Sequence, residues 1–351
     1  MDYITLIEKL SSAPGVSGFE DEVVRISREF VEESGFAHCR ENTLRNLYIY
    51  RNENTGQRPV VMIDAHSDEV GFIIQSVNSD GRLAFLEMGS IAREKIQGQR
   101  VLVRNAAGVY IPGLISSKPP HYAGAGGDGE ICIDIGAISK EDALSNFGIR
   151  IGEPAVPATA FYYDSENRLI FAKALDNRIG CAALLWALKE LAGEALAVDV
   201  VGTLTSQEEV GCRGVEAAVR AIAPQAAIVL EGAPADDSFL PPGAAQTVLK
   251  KGPMIRHMDK TIVSNPAFTR FALSAAKNQG IGVQEAVRSG GGTNGGAIQL
   301  SGDGVPVIVV SMAVRHAHAP CGISSGEDFE ATVALIKGIL RSIKEETIAG
   351  F

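Results

Sequence analysis

The alternation of helix-like and strand-like segments at both ends of the chain constrains its fold more than any other feature. Residues 1–35 carry apolar side chains at helical spacing in two segments. Ser17 and Glu20, three residues apart, match a capping box and predict the start of the second helix. Short apolar, β-branched runs predict strands at residues 47–50, 59–63, 198–205, 226–230 and 305–310. Helix-like segments separate the later runs, and such alternation predicts an α/β domain with helices on both faces of a sheet.

The middle of the chain has a different character. Between residues 70 and 161, short alternating runs are separated by turn signals such as Ser79-Asp80-Gly81 and a glycine-rich stretch at residues 123–129. This pattern predicts a small all-β domain. We therefore expect residues 1–69 plus 162–351 to form one α/β domain, into which residues 70–161 are inserted.

Composition excludes several classes of partner. The 351 residues include 32 Lys and Arg against 42 Asp and Glu, a net charge of −10, so we expect neither nucleic acid nor an anionic membrane as a partner. No uncharged apolar run is long enough to span a membrane, and the N-terminus lacks the basic region of a secretory signal. The five cysteines are scattered without a Cys-x-x-Cys pair, which favours a reducing cytoplasm over a disulfide framework.

Acids and histidines follow the predicted strands of the α/β part. His66 and Asp68 come after the run at 59–63, Glu208 and Glu209 after 198–205, and Glu231 after 226–230. Ligands of α/β sheets bind beyond the carboxyl ends of strands. A histidine can offer one ring nitrogen to a metal while a carboxylate accepts the other N–H. Of two adjacent acids, one can bind a metal while the other acts as a general base.

Two further positions complete the candidate set. Asp176 opens a predicted helix and is either a plain N-cap or a carboxylate that bridges two cations. His316 and His318 lie two apart, so in an extended segment they would share one face. Each residue alone also fits a structural or solvated role. Together, they form a nitrogen and oxygen set suited to two Zn²⁺ or Co²⁺ ions, namely His66, Asp176, Glu209, Glu231 and His318.

The sequence lacks the defining motifs of two other protein classes, serine hydrolases and P-loop nucleotide-binding proteins. A serine hydrolase of the α/β type needs a Gly-x-Ser-x-Gly elbow, which is absent from the sequence. The glycine-rich stretch at residues 289–296 could hold an anion, but it lacks the lysine of a P-loop.

The ordered motifs resemble those of metallopeptidase family 42, the tetrahedral and glutamyl aminopeptidases. They cover the chain at residues 65–72, 176–180, 206–211, 291–296 and 315–318. The resemblance implies a phosphorylase/hydrolase-like α/β domain with a small β-barrel dimerisation domain, assembled as a dimer or a tetrahedral dodecamer. It also implies that His66, Asp176 and Glu231 hold one metal, and that Asp176, Glu209 and His318 hold the other. Glu208 would be the general base, and Asp68 would orient His66.

Three positions depart from the family pattern. The family usually has Asp at position 231 and at position 294, where this chain has Glu231 and Asn294, and many members have Tyr at His316. The longer arm of Glu231 predicts a looser first metal site. The expected function is a cytoplasmic dinuclear metallo-aminopeptidase acting on short peptides. The alternatives are a metal-dependent hydrolase of another amide or a carbohydrate, and a non-catalytic member.

Overall fold

A computed structural model describes residues 1–91, 95–117, 121 and 131–351. The glycine-rich stretch at residues 123–129 lies outside the described residues. In the described ranges, none of the helices combines the length and apolar character needed to cross a bilayer.

Strands occur throughout the described ranges. They are β1 (Ala37–Glu41), β2 (Leu47–Arg51), β3 (Val60–His66), β4 (Gly71–Val77), β5 (Leu83–Met88), β6 (Arg100–Arg104), β7 (Tyr110–Ile115), β8 (Ile133–Asp134), β9 (Pro154–Pro157), β10 (Tyr162–Asp164), β11 (Leu169–Ala172), β12 (Asp199–Thr205), β13 (Ala226–Pro234), β14 (Met254–Met258), β15 (Gln284–Val287), β16 (Val307–Val314) and β17 (Gly322–Ser325). The helices are α1 (Tyr3–Ser12), α2 (Asp21–Ser34), α3 (Lys140–Ser145), α4 (Leu175–Glu190), α5 (Arg213–Ile222), α6 (Pro266–Asn278), α7 (Asn294–Gln299), α8 (Gly326–Ser342) and α9 (Glu345–Ile348).

A mixed sheet forms the centre of the α/β part, with the described strands in the order β1-β2-β12-β3-β13-β16-β14-β15. Its middle strands β12, β3, β13 and β16 run parallel, and their near-continuous apolar sequences are typical of strands buried on both faces. Residues of α1, α2, α4, α6 and α8 pack on one face. Those of α5 and α7 pack on the other.

The middle of the chain forms a separate layer of structure. Within the described residues, β4, β5, β8, β7, β6 and β9 close into a barrel of antiparallel pairs. The barrel has its own apolar core, with Phe72 against Phe85 at a ring-centroid distance of 4.8 Å. A separate three-stranded sheet consists of β10, β11 and β17, which follow the barrel in the sequence. The predicted α/β fold with a flanked mixed sheet and a small β-barrel is confirmed.

Some local predictions are wrong. The helix α2 has Glu20 at its N-cap but no side-chain capping bond there. Ser17 Oγ instead donates to Asp68 Oδ2 at 2.6 Å, and Glu20 Oε1 accepts from the amides of Gly18 and Gln207. The predicted capping box therefore does not form: Ser17 contacts Asp68, and the buried carboxylate of Glu20 takes its donors from one local and one distant amide.

Candidate metal centre

The predicted site residues meet at one edge of the central sheet. His66 is the last residue of β3 and pairs with Thr205, the last residue of β12. Glu208 and Glu209 follow β12, whereas Glu231 lies on β13 opposite Ser311 of β16. Because these strands are parallel, their carboxyl ends share this edge.

Asp176 lies between the two imidazoles. Its Oδ1 is 3.2 Å from His66 Nε2, and its Oδ2 is 3.2 Å from His318 Nε2. Glu231 Oε1 is 3.2 Å from His66 Nε2, and Glu209 Oε1 is 3.3 Å from His318 Nε2. The five residues therefore form two clusters with Asp176 in common, which is the grouping that the resemblance implied.

The donor set fits two cations. The ligand atoms of His66, Asp176 and Glu231 lie within 4.8 Å of one another, and so do those of Asp176, Glu209 and His318. Glu231 Oε2 is buried without a hydrogen-bond partner in the described residues. Buried carboxylate oxygens without a donor are costly unless a cation compensates them. Mixed imidazole and carboxylate ligands suit zinc and similar ions.

The neighbouring carboxylates favour the protonated form of both histidines. Burial lowers the proton affinity of His66, but Glu231, Asp176 and Asp68 outweigh it and raise its pKa well above the usual value. Burial also opposes protonation of His318, but Asp176 and Glu209 raise its pKa to about 11. Burial raises the pKa of both Glu208 and Glu231. Metal ions would take the place of these protons on the histidines, since a ligating imidazole must be neutral at the bound nitrogen.

Asp68 contacts other parts of the site in addition to His66, the contact that was predicted. Its Oδ1 is 3.2 Å from His66 Nδ1, the contact that would orient the ring. The same carboxylate also accepts the backbone amides of Glu208 at 3.0 Å and Glu209 at 3.1 Å. Asp68 thus couples the ring of His66 to the turn that carries both glutamates.

A buried ionic cluster that was not predicted from the sequence includes two cations that flank Asp176 in the chain. Lys173 Nζ lies 2.5 Å from Glu69 Oε1, and Arg178 Nη2 lies 3.3 Å from the same oxygen. Arg178 also donates to the backbone carbonyls of Leu10, Ala13 and Gly15. Through these contacts, the segment around Asp176 is bound to Glu69, next to Asp68, and to backbone carbonyls in and after α1. One sequence feature could have indicated this cluster: Lys173 and Arg178 both lie within three residues of Asp176.

Asn294 lies beside the ligand set and outside it. Its Nδ2 donates to Asp64 Oδ2 at 2.7 Å and to Thr205 Oγ1 at 2.9 Å, and all three side chains are buried. Asp64 also accepts from Thr203 Oγ1 at 2.7 Å. An aspartate at position 294 would place a second carboxylate against Asp64, so the amide is the side chain that suits this neighbour.

The expectation that His316 and His318 share an extended segment is wrong. The strand β16 ends at Val314, and both histidines lie in the following turn with φ of 60° and 61°. His318 nevertheless reaches the carboxylates, and its Nδ1 lies 3.0 Å from the carbonyl oxygen of Ser90. His316 is exposed. The two histidines therefore lie in a turn and do not share the face of an extended segment.

Comparison with known proteins identifies the family. The sequence pattern of the M42 glutamyl aminopeptidases matches residues 46–335. The chain belongs to the M42 aminopeptidase family. It is thus an aminopeptidase, a hydrolase of peptide bonds.

Relatives of this M42 member span nearly its whole length. The glutamyl aminopeptidase of Lactococcus lactis subsp. cremoris (strain MG1363) is 28% identical, over 99% of each chain. A TET aminopeptidase structure from the marine sediment archaeon Thaumarchaeota archaeon SCGC AB-539-E09 has a TM-score of 0.92 and 33% identity, and the match covers 99% of this chain and 98% of that one. The Pyrococcus horikoshii TET1 peptidase, described as able to assemble into a tetrahedron or a large octahedral shell, has a TM-score of 0.87 and 27% identity over 97% of this chain and 100% of that one.

Substitution of the two neighbouring histidines should separate their roles in this M42 enzyme. His318→Ala is expected to release at least one metal ion and to lower the melting temperature, because its carboxylate partners would then repel one another. His316→Ala serves as the matched control and should leave metal content unchanged. Elemental analysis of both variants, with melting curves, makes the comparison. Full metal content in His318→Ala would exclude this residue as a ligand.

Proposed function

We propose that this M42 member is a dinuclear metal-dependent aminopeptidase that removes N-terminal residues from short peptides. The observation that carries the proposal is the pair of ligand clusters that share Asp176. His66, Asp176 and Glu231 hold one ion, and Asp176, Glu209 and His318 hold the other. Nitrogen and carboxylate donors of this kind favour zinc or cobalt over magnesium or calcium.

Catalysis requires a base beside the two clusters. When bound, the divalent cations supply Lewis acidity that polarises the scissile carbonyl and acidifies water. Glu208 lies with His66 and Glu209 in a third group whose ligand atoms are within 4.8 Å of one another. Glu208 takes the proton of the attacking water and later delivers it to the leaving amine. Asp68 keeps the Nδ1 proton on His66 and thereby presents Nε2 to the metal side.

A substrate panel in the presence and absence of a chelator tests this function. We expect hydrolysis of aminoacyl anilides that a chelator abolishes and that added zinc or cobalt restores. Carbohydrate hydrolysis that survives the chelator would contradict the proposal, because glycosidases work with two carboxylates and need no metal. Loss of every tested activity with full metal content would indicate a non-catalytic member.

Glu231 offers a test of the first ion's site. Ligand distances of about 2.0–2.2 Å leave little slack for an additional methylene on a backbone held by β13. Titration of stripped protein should therefore show two unequal affinities, and Glu231→Asp should raise the weaker one. Weaker binding together with lower activity in Glu231→Asp would show instead that the surroundings are adapted to glutamate. Unchanged affinities would exclude Glu231 as a ligand.

The barrel provides a surface for assembly. We propose that residues 70–161 form an inserted dimerisation domain and that the chain forms a dimer or a tetrahedral dodecamer in the cytoplasm. Large apolar side chains are exposed in this part of the chain, among them Val109, Leu114 and Ile151, and such exposure is typical of protein interfaces when it is contiguous. Light scattering of the full chain should give the mass of a dimer or dodecamer, whereas a monomer at all concentrations would contradict the proposal.

A further inference from the structure

The turn after β12 brings a thiol against the carboxylate of Glu208. Cys212 Sγ lies 3.6 Å from Glu208 Oε1, within hydrogen-bond range for sulfur. In the part of the chain that the structure describes, this thiol is the one side chain or backbone group that donates a hydrogen bond to the Glu208 carboxylate. No lysine or arginine in the described ranges forms an ion pair with it.

Backbone hydrogen bonds hold Cys212 close to Glu208. The amides of Gly211 and Cys212 both donate to the carbonyl oxygen of Glu208 at 2.9 Å. Cys212 has a φ of 53°, in the left-handed region that residues other than glycine seldom adopt. Gly214 follows, where a Cβ atom would lie 2.3 Å from the carbonyl oxygen of Ser206. The turn is therefore tightly packed, and Cys212 has little freedom to move away from Glu208.

We infer that Cys212 is a positioning residue, whose thiol holds Oε1 of Glu208 so that Oε2 faces the attacking water. This inference rests on the proposed role of Glu208 as the general base. An ammonium or guanidinium donor at this position would stabilise the ionised carboxylate strongly and weaken it as a base. A thiol is a weak, neutral donor, so it can orient the carboxylate while leaving its basicity largely intact.

The state of the thiol suits this role. Burial, with a further contribution from the Glu208 carboxylate, raises the pKa of Cys212 well above the usual value for a thiol. The sulfur therefore keeps its proton at neutral pH and remains a donor. The competing interpretation is that Cys212 only fills space, because it also packs beside the apolar cluster that contains Val215.

Kinetics of two variants of the metal-loaded enzyme distinguish positioning from packing. Cys212→Ser keeps a donor of similar size and should retain kcat within about threefold. Cys212→Ala should lower kcat about tenfold with KM unchanged, because loss of positioning removes only part of the rate that a general base contributes. Cys39→Ala, which removes a partly buried thiol on β1, is the control and should leave kcat unchanged. Equal kcat values for Cys212→Ala and the unmodified enzyme would overturn the inference, as would equal losses in the Ser and Ala variants.

Infrared spectroscopy of the thiol S–H stretch gives a readout that does not depend on turnover. The difference spectrum between the unmodified enzyme and Cys212→Ala isolates the Cys212 band. We expect this band to shift to higher frequency in Glu208→Gln, because an amide accepts a weaker hydrogen bond than a carboxylate does. An unshifted band would overturn the inference. If Glu208→Gln shifts the band but retains normal turnover, the hydrogen bond is real and the proposed role of Glu208 is the part that fails.

Discussion

Glu208→Gln is expected to lower kcat by about 10²–10⁴-fold while both metal ions remain bound. The amide keeps the size of the side chain and its ability to hydrogen-bond, but it cannot take a proton from water. Glu208 is absent from the two clusters that share Asp176, so its replacement should leave those clusters intact. Turnover and metal content measured on the same sample test both parts of the expectation.

Glu209→Gln is the matched control, because it changes the adjacent residue in the same way. Glu209 Oε1 lies 3.3 Å from His318 Nε2 in the second cluster, so this variant should lose metal together with activity. A near-normal rate in Glu208→Gln would remove Glu208 from the role of base. Equal metal loss in both variants would make Glu208 a ligand.

Glu69→Gln should have the largest effect on stability, a loss of about 3–5 kcal/mol in the free energy of unfolding. The carboxylate is buried between Lys173 and Arg178, which are themselves buried, so its neutralisation leaves two cations without a counter-charge. Urea denaturation measures the loss. Glu22→Gln, which breaks an exposed pair with Arg25, should change the midpoint little. A small effect in Glu69→Gln would show that the cluster contributes little to stability.

The pH dependence of the Glu69→Gln defect has a definite sign. Burial lowers the pKa of Lys173 to about 8 even with Glu69 present, and removal of Glu69 should lower it further. The unfolded chain then binds more protons than the folded chain from this lowered value up to the usual lysine pKa, so stability rises with pH across that window. Above about pH 8, Lys173 loses its proton in the unmodified fold as well, so both proteins gain stability in parallel there. We therefore expect the defect, followed by urea midpoints, to shrink as the pH rises towards about 8 and to stay constant above it. A defect that grows with pH would contradict this account.

Sequence patterns predicted the parts of the fold that depend on strongly apolar strands. The runs in β3, β12, β13 and β16 were recognisable because these strands are buried on both faces. The strand β1 was missed, since its sequence Ala-His-Cys-Arg-Glu carries mostly polar side chains at the sheet edge. Strands of this kind are stabilised by pairing with a neighbour, and local composition does not reveal such pairing.

The candidate site was predictable for a geometric reason. The carboxyl ends of parallel strands meet at one edge, so the positions of His66, Glu209 and Glu231 after the predicted strands suffice to group them. In the structure, His66 is the last residue of β3 and Glu231 lies within the longer β13. The supporting contacts depend on pairs far apart in sequence, as in Ser17 with Asp68, or Asn294 with Asp64. No local pattern encodes which distant donor a buried carboxylate will find, and these contacts therefore could not be predicted from the sequence.

Metal stoichiometry at saturation tests the central claim most directly. Stripped protein titrated with zinc or cobalt, followed by elemental mass spectrometry, should bind two ions per chain, since two ligand clusters share Asp176. Aminopeptidase activity should rise with their binding. In Asp176→Ala, the shared ligand is lost, and neither ion should bind with the original affinity. Two ions bound at normal affinity in Asp176→Ala, or full activity in the unmodified chain without metal, would contradict the account.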